Sequence, residues 1–139
     1  MISGAHHLAI KVRDLPAAER FYVGVLGLAV ARRWPHPARD GDRALWLPLD
    51  AAHPEGTFLA LETLSAGVAE GADHQAGDAR AERPGHHLIA FRIRRAERAA
   101  CETRLAAAGV AITHRTDYTI YFSDPEGNRL GLSHYPDPA

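Results

Sequence analysis

The chain has 139 residues, 46% of them hydrophobic, and its 16 Lys+Arg against 17 Asp+Glu give a formal net charge of −1. This length corresponds to one domain with a core of its own. The balanced charge gives no electrostatic basis for binding nucleic acid or an anionic membrane. The single cysteine, Cys101, excludes an intramolecular disulfide and a thiolate metal cluster. The sequence shows neither a membrane-spanning run nor a signal-peptide pattern, so we expect a cytoplasmic protein with no membrane partner.

The first half of the chain has the element order β-α-β-β-β. Residues 7–12 alternate in polarity, which predicts a strand. Asp14 is a candidate helix N-cap, and apolar residues then recur at helical spacing until Gly27 ends the helix. A short apolar segment and two further strands follow, the last two joined by a Pro-Glu-Gly turn at residues 54–56. We place this module at residues 3–64.

The second half repeats the same landmarks in the same order. A strand at residues 88–93 precedes an Ala-rich helix at residues 96–108, which Gly109 ends. A second Pro-Glu-Gly turn lies at residues 125–127. The repeat predicts a second β-α-β-β-β module over residues 84–136.

The segment between the modules, residues 65–83, is rich in Ala, Gly, Asp and Glu and shows no periodicity. A connector of this length is uncommon inside a compact protein. It is either a functional lid or a solvated tether, and it allows the modules to pair within one chain or across a dimer.

Two motifs resemble the vicinal oxygen chelate superfamily, which includes glyoxalase I, the bleomycin-resistance proteins, the fosfomycin-resistance thiol transferases and the extradiol dioxygenases. The first is HLAIKVRDL at residues 7–15 with the apolar residues of 21–28, and the second is YFSDPEGNRL at residues 121–130. The resemblance implies an α+β fold in which two βαβββ modules form a curved mixed sheet around a central cleft. It also implies a homodimer. It names no single reaction, because one fold hosts many functions.

The resemblance further implies His, Gln or Glu metal ligands on the strands that face the cleft. The four ligand positions correspond here to His7, Ala60, Leu88 and Gly131. Only His7 can bind a metal, whereas a catalytic divalent ion takes about three protein ligands. A rearranged site would need His87 beside His7, with His86 or Glu62 as substitutes.

Strand alternation assigns further side chains to the cleft face. The candidate ligand-binding residues are Ala9, Lys11, Glu62, Arg92, Thr119, Tyr121 and Ser133. Lys11 and Arg92 are repeat partners whose two positive charges suit a carboxylate or phosphonate. The alternative is that each pairs with a surface acid such as Asp14. The hydroxyl groups of Thr119 and Tyr121 suit substrate oxygens by resemblance, and the alternative for Tyr121 is a structural position in the sheet.

Two other residues receive structural assignments. Trp46 is aligned with Ile120 by the repeat and is therefore expected in the core rather than as a stacking platform. Cys101 lies in the second helix with no neighbouring His or Asp in sequence to activate it, so it has no predicted catalytic role.

Two function hypotheses follow from different classes. The first is a protein that binds a small molecule, with an anion as one option, in a cleft whose metal site is degenerate. The second is a metal-dependent dioxygenase, lyase or thiol transferase in which His7 and His87 hold a divalent metal ion that acts as a Lewis acid. A regulatory subunit with an empty cleft is a third. No nucleotide cofactor is expected, because the sequence lacks a phosphate loop and a dinucleotide fingerprint.

Overall fold

The computed structural model describes residues 1, 4–64, 86 and 88–137. The chain divides into two compact units, Met1–Ala72 and Asp73–Ala139, and each unit contains one four-stranded sheet. The predicted connector, residues 65–83, lies outside the described residues. Within the described ranges, no helix combines the length and the apolar character needed to cross a membrane.

Unit 1 contains the predicted first module. Its elements are β1 (His7–Val12), α1 (Leu15–Glu19) continued by a π-helical stretch (Arg20–Val25), β2 (Arg32–Pro35), β3 (Asp42–Pro48) and β4 (Phe58–Thr63). The strand order is β1-β4-β3-β2, with β1 parallel to β4 and the other neighbours antiparallel. Asp14 caps α1 as predicted, because its carboxylate accepts a hydrogen bond of 2.8 Å from the amide of Ala17. Gly27, with φ of 81°, ends the helical segment.

Unit 2 repeats this arrangement. Its elements are β5 (Ile89–Arg92), a 3₁₀ turn (Arg95–Glu97) leading into α2 (Arg98–Ala107), β6 (His114–Arg115), β7 (Thr119–Ser123) and β8 (Arg129–Ser133). The strand order β5-β8-β7-β6 is the equivalent of the order in unit 1. Gly109, with φ of 71°, again follows the helix. The predicted α+β class and the βαβββ order of both halves are therefore confirmed.

The second strand of each module begins later than its apolar segment suggested. The apolar segments after the two helices, residues 28–30 and their counterpart at 110–112, precede the sheet, and strand pairing involves β2 and β6 instead. The short apolar segments predicted the presence of a strand but not its position, because pairing depends on the neighbouring strand as well as on local hydrophobicity.

The two Pro-Glu-Gly turns differ in the reason for their glycine. Gly127 has φ of 84°, a region that glycine adopts without steric strain. Gly56 is not at positive φ, which corrects the expectation for this turn. A Cβ at Gly56 would instead lie 3.1 Å from the carbonyl oxygen of His53, so a close approach of the backbone favours glycine at this position.

One face of each sheet forms a core, and the opposite face carries both exposed and buried side chains. The core side chains of the sheets, all 6% exposed or less, are Val12, Leu45, Leu47, Leu59 and Leu61 in unit 1 and Ile120, Phe122, Leu130 and Leu132 in unit 2. In unit 1 this face contacts α1, which packs against β3 and β4. We call the opposite face of each sheet its open face, and this face carries the candidate site residues because strand side chains alternate.

Candidate functional site

The open face of unit 1 consists of His7, Ala9 and Lys11 of β1 and the residues paired with them across the sheet. On β4 these are Phe58, Ala60 and Glu62, on β3 they are Pro48, Trp46 and Ala44, and on β2 they are Arg32 and Trp34. The sheet register therefore brings Ala9, Lys11 and Glu62 together, as strand alternation predicted. It also adds residues that sequence reasoning did not assign to the site.

Four rings, one from each strand, cross this open face in contact with one another. We call them the aromatic row: His7, Phe58, Trp46 and Trp34. His7 stacks on Phe58 with ring centroids 5.1 Å apart and planes 8° apart, and Phe58 stacks on Trp46 at 4.5 Å and 26°. Trp46 meets Trp34 edge to face at 5.2 Å and 61°. Such pairs stabilise one another beyond simple area burial.

The position of Trp46 corrects a sequence expectation. Trp46 pairs with Ala60 as Tyr121 pairs with Gly131, so its repeat partner is Tyr121 and not Ile120. The true partner of Ile120 is Leu45, which is fully buried like Ile120 itself. A shift of one residue in a strand alignment moves a side chain to the other face, and that shift had assigned Trp46 to the core.

Lys11 has a partner on the open face itself. Its Nζ lies 2.9 Å from Glu62 Oε2 and 3.4 Å from the carbonyl oxygen of Thr63. Parallel pairing of β1 with β4 places Lys11 directly opposite Glu62, and Glu62 takes the role expected of Asp14. The pair is partly exposed and contributes about 1 kcal/mol or less to stability, but it neutralises the Lys11 charge locally.

The open face of unit 2 carries different chemistry at equivalent positions. Its members are Ala90 and Arg92 on β5, Arg129, Gly131 and Ser133 on β8, Thr119, Tyr121 and Ser123 on β7, and His114 on β6. Thr119 Oγ1 donates a hydrogen bond of 2.9 Å to Ser133 Oγ. The Arg129 guanidinium lies 4.8 Å from the ring centroid of Tyr121, and the His114 ring lies 5.7 Å from the same ring. This face combines hydroxyl groups with cations.

Arg92 differs from its repeat partner Lys11 in its surroundings. It lies opposite Ser133 rather than opposite an acid, and it is exposed. In the part of the chain that the structure describes, no carboxylate forms an ion pair with Arg92. Its charge therefore faces the open side of the sheet without a counter-ion from that part.

The four family ligand positions do not fit a catalytic divalent metal. Ala60 is 1% exposed and has no donor atom, and Leu88 is apolar. A Cβ at Gly131 would lie 3.2 Å from Thr119 Cγ2 and 3.7 Å from Ala90 Cβ, so a ligating side chain there would need the Thr119 side chain to give way by a few tenths of an ångström. No three His, Cys, Asp or Glu side chains among the described residues are grouped as a metal site requires.

The substitute ligands do not complete this site within the described residues. Glu62 lies four residues along β4 from Phe58, the residue opposite His7, which corresponds to about 13 Å along a strand. The Nδ1 atom of His7 is 2.9 Å from His6 Nδ1, and His86 is exposed. His87 lies outside the described residues.

Cys101 has an environment that disfavours the reactive thiolate. Burial, followed by the nearby Glu97 carboxylate, raises the pKa of the Cys101 thiol. A nucleophilic cysteine needs the opposite, an environment that lowers the thiol pKa. This agrees with the structural assignment made from sequence.

Solved structures with the same fold include both metal-containing and ligand-binding proteins. The fosfomycin resistance protein FosX from Listeria monocytogenes, a mutant solved with Mn(II) and a dihydroxypropylphosphonic acid, is 20% identical with a TM-score of 0.68, covering 96% of this chain and 94% of that one. A glyoxalase/dioxygenase from Nostoc punctiforme is 22% identical with a TM-score of 0.68, covering 94% and 89%. TnmS3, an antibiotic binding protein from a Streptomyces species, is 24% identical with a TM-score of 0.63, covering 99% and 98%.

At these identities the structural likeness shows the fold alone. A search of the curated proteins finds no match. The family model of the Glyoxalase/Bleomycin resistance protein/Dioxygenase superfamily matches residues 4–132, nearly the whole chain. The chain therefore belongs to the Glyoxalase/Bleomycin resistance protein/Dioxygenase superfamily, the vicinal oxygen chelate family that its motifs resemble.

Proposed function

We propose that this chain binds a small organic molecule on its open faces without a divalent metal. The observation that carries the proposal is the loss of donor atoms at three of the four family ligand positions, Ala60, Leu88 and Gly131. At Gly131 a Cβ would also lie only 3.2 Å from Thr119 Cγ2, so a ligating side chain would require the Thr119 side chain to move. The fold is shared with a Mn(II)-containing FosX and with an antibiotic binding protein, so the fold alone does not distinguish metal-dependent function from metal-free binding. The residues at the four ligand positions are what favours metal-free binding.

The candidate ligand-binding residues support this proposal in different ways. Ala9 is small and exposed, so a ligand can approach β1 closely at this position, whereas its partner Ala60 on β4 is covered by the surrounding side chains. Thr119 and Ser133 present hydroxyl groups that are already hydrogen-bonded to each other. An anionic group on the ligand would be attracted by Arg92 more than by Lys11, because Glu62 offsets the Lys11 charge. Tyr121 offers a ring and a phenol. A homodimer and a cytoplasmic location are part of the same proposal.

The second candidate function is the metal-dependent enzyme. It is favoured by one observation: His7 is exposed and stands at the first family ligand position. It requires at least two further ligands, of which His87 is the first, so it predicts a measurable dependence of function on His7 and on a divalent ion.

A ligand screen with and without chelator separates the two candidates. We would screen small organic molecules by thermal shift in EDTA, and then measure the hits by calorimetry in EDTA and in excess Mn(II). We expect affinities that agree within about twofold between the two conditions, because no ligand atom needs a metal. The same measurements are made on His7→Ala and on a control variant, His53→Ala, which removes an exposed histidine in the 50–56 turn. Binding that appears only with Mn(II) and is abolished by His7→Ala alone would contradict the proposal.

A further inference from the structure

Two neighbouring arginines on β2 have opposite environments. Arg33 points to the side of α1, where it pairs with Asp42 at 2.8 Å and with Glu19. The hydrogen bonds to Glu19 and Asp42 raise the pKa of Arg33. Arg32 lies on the open face and is exposed, and none of the carboxylates that the structure describes pairs with it. β2 thus holds one neutralised guanidinium and one that has no counter-ion in the described chain.

The Arg32 guanidinium is held by aromatic rings instead. Its Cζ lies 4.5 Å from the ring centroid of Trp34 and 5.5 Å from that of Trp46. Both distances fall within the range of cation–π attraction. A guanidinium is planar and presents several N–H donors in a fixed fork, so a stacked arginine can still bind an anion in its own plane.

The geometry of the aromatic row explains why this location accepts a planar group. His7, Phe58 and Trp46 stack face against face, so their contacting faces are already used. Trp34 and Trp46 meet edge to face, which leaves an indole face to the guanidinium. Trp34 Nε1 is buried and has no hydrogen-bond acceptor among the described residues. The corner thus combines indole rings with the Arg32 cation, which has no counter-ion among the described residues, and the Arg43 guanidinium lies 5.7 Å from the ring centroid of Trp34 as well.

We propose that the corner formed by Arg32, Trp34 and Trp46 binds a planar conjugated small molecule that carries an anionic group. Its anion pairs with Arg32 in the plane of the guanidinium, so its ring lies in that plane as well, against the indole surface beside the guanidinium. The inference rests on the proposed function and adds the ligand class. Charge complementarity favours an anionic ligand over a neutral one, and the flat surfaces favour a conjugated ring over a saturated one.

Three probes separate ring from charge. The probes are 2-naphthoate, its neutral analogue 2-naphthamide, and the non-planar anion cyclohexanecarboxylate. By calorimetry in EDTA we expect the naphthoate to bind, the naphthamide to bind about tenfold more weakly because it lacks the ion pair, and the cyclohexanecarboxylate to show no heat of binding. Both tryptophans of the chain belong to the aromatic row, so quenching of intrinsic fluorescence reports binding at this surface.

Matched variants test the location. Arg32→Gln should weaken naphthoate binding about tenfold and leave naphthamide binding unchanged, while Arg33→Gln should change neither. Trp34→Leu should weaken both ring probes, with circular dichroism confirming that each variant is folded. The proposal is overturned if the naphthoate fails to bind at millimolar concentration, if Arg32→Gln binds it as tightly as the parent chain, or if the cyclohexanecarboxylate binds equally well. If the naphthoate test fails but the chelator screen yields other ligands, the ligand class proposed here is wrong and metal-free binding is still supported. If binding in that screen depends on Mn(II), the proposed metal-free function is wrong, whatever the naphthoate result.

Discussion

The two sheets share one backbone plan and one type of core, but their open faces have diverged. On the core face of the two central strands the equivalent pairs are buried and apolar: Leu45 and Ile120, Leu47 and Phe122, Leu59 and Leu130, Leu61 and Leu132. On the open face four equivalent pairs differ in chemistry, namely His7 and Leu88, Phe58 and Arg129, Trp46 and Tyr121, and Glu62 and Ser133. The alanines Ala9 and Ala90 and the cations Lys11 and Arg92 are alike in the two units. The close packing of a core restricts change, whereas an open face changes freely, so function is to be sought where the copies differ.

The largest expected effect comes from placing the family glutamate at Gly131. Gly131→Glu should lower the free energy of unfolding by about 3 kcal/mol, because the side chain is forced against the Thr119 methyl group and its carboxylate is partly buried. Urea denaturation measures the loss. Removing that methyl group in Gly131→Glu/Thr119→Ser should recover part of it. A Gly131→Glu variant as stable as the parent chain would show that this position tolerates a ligand after all.

The next effect compares the two Asp turns. Asp124 is 6% exposed, and its carboxylate accepts hydrogen bonds from the amides of Glu126 and Asn128 and from the Asn128 side chain at 2.8–2.9 Å. Asp124→Ala should therefore lower the free energy of unfolding by about 2 kcal/mol. Asp50→Ala removes the exposed aspartate of the other turn, in unit 1, and should have a much smaller effect. Equal losses in urea denaturation would mean that the two turns are not distinguished by burial.

A binding effect follows from the contrast between Lys11 and Arg92. Arg92→Gln should weaken binding of phenylphosphonate about fivefold, because it removes a cation that lacks a counter-ion in the described structure. The double variant Lys11→Gln/Glu62→Gln removes both members of an ion pair and keeps the local charge, so its affinity should stay within about twofold. Calorimetry compares them. A larger loss of affinity in the double variant than in Arg92→Gln would show that the Lys11–Glu62 pair, and not Arg92, attracts the anion.

The smallest effect concerns the pH response of the Asp50 turn. The hydrogen bond with His53, together with that from the Ala52 amide, lowers the pKa of Asp50 below its ordinary value of 3.8. A lowered folded-state pKa means that this carboxylate stabilises the fold above its unfolded pKa, and that the contribution is lost as pH falls through the folded-state pKa. NMR titration of Asp50 should show the lowered value, and His53→Ala should move it toward 3.8. An unchanged pKa in His53→Ala would exclude this cause.

Sequence reasoning predicted the elements better than their register. The repeated landmarks predicted both modules, the Asp14 cap and the helix stops at Gly27 and Gly109, because these are local features. Alternation also assigned Lys11 and Glu62 to one face. The aromatic row was not predicted, because it requires knowing which residue lies opposite which across four strands.

Two errors prevented the prediction of the aromatic row: the position of β2 and the face assigned to Trp46. Trp34 lies in an Arg-Arg-Trp-Pro segment without regular alternation, so β2 was placed a few residues too early. Trp46 was assigned to the wrong face by a shift of one residue in the repeat alignment. Aligning the buried leucines of β3 with Ile120 and Phe122 of β7, rather than the turns that follow, would have given the correct register.

The central claim is that this chain binds its ligand without a metal, and elemental analysis of the purified protein tests it most directly. Protein prepared without chelator should contain far less than one divalent ion per chain, and His7→Ala should leave that content unchanged, because His7 is the one family ligand position that retains a donor. One tightly bound ion per chain in the parent protein, lost in His7→Ala, would contradict the account and support the metal-dependent enzyme.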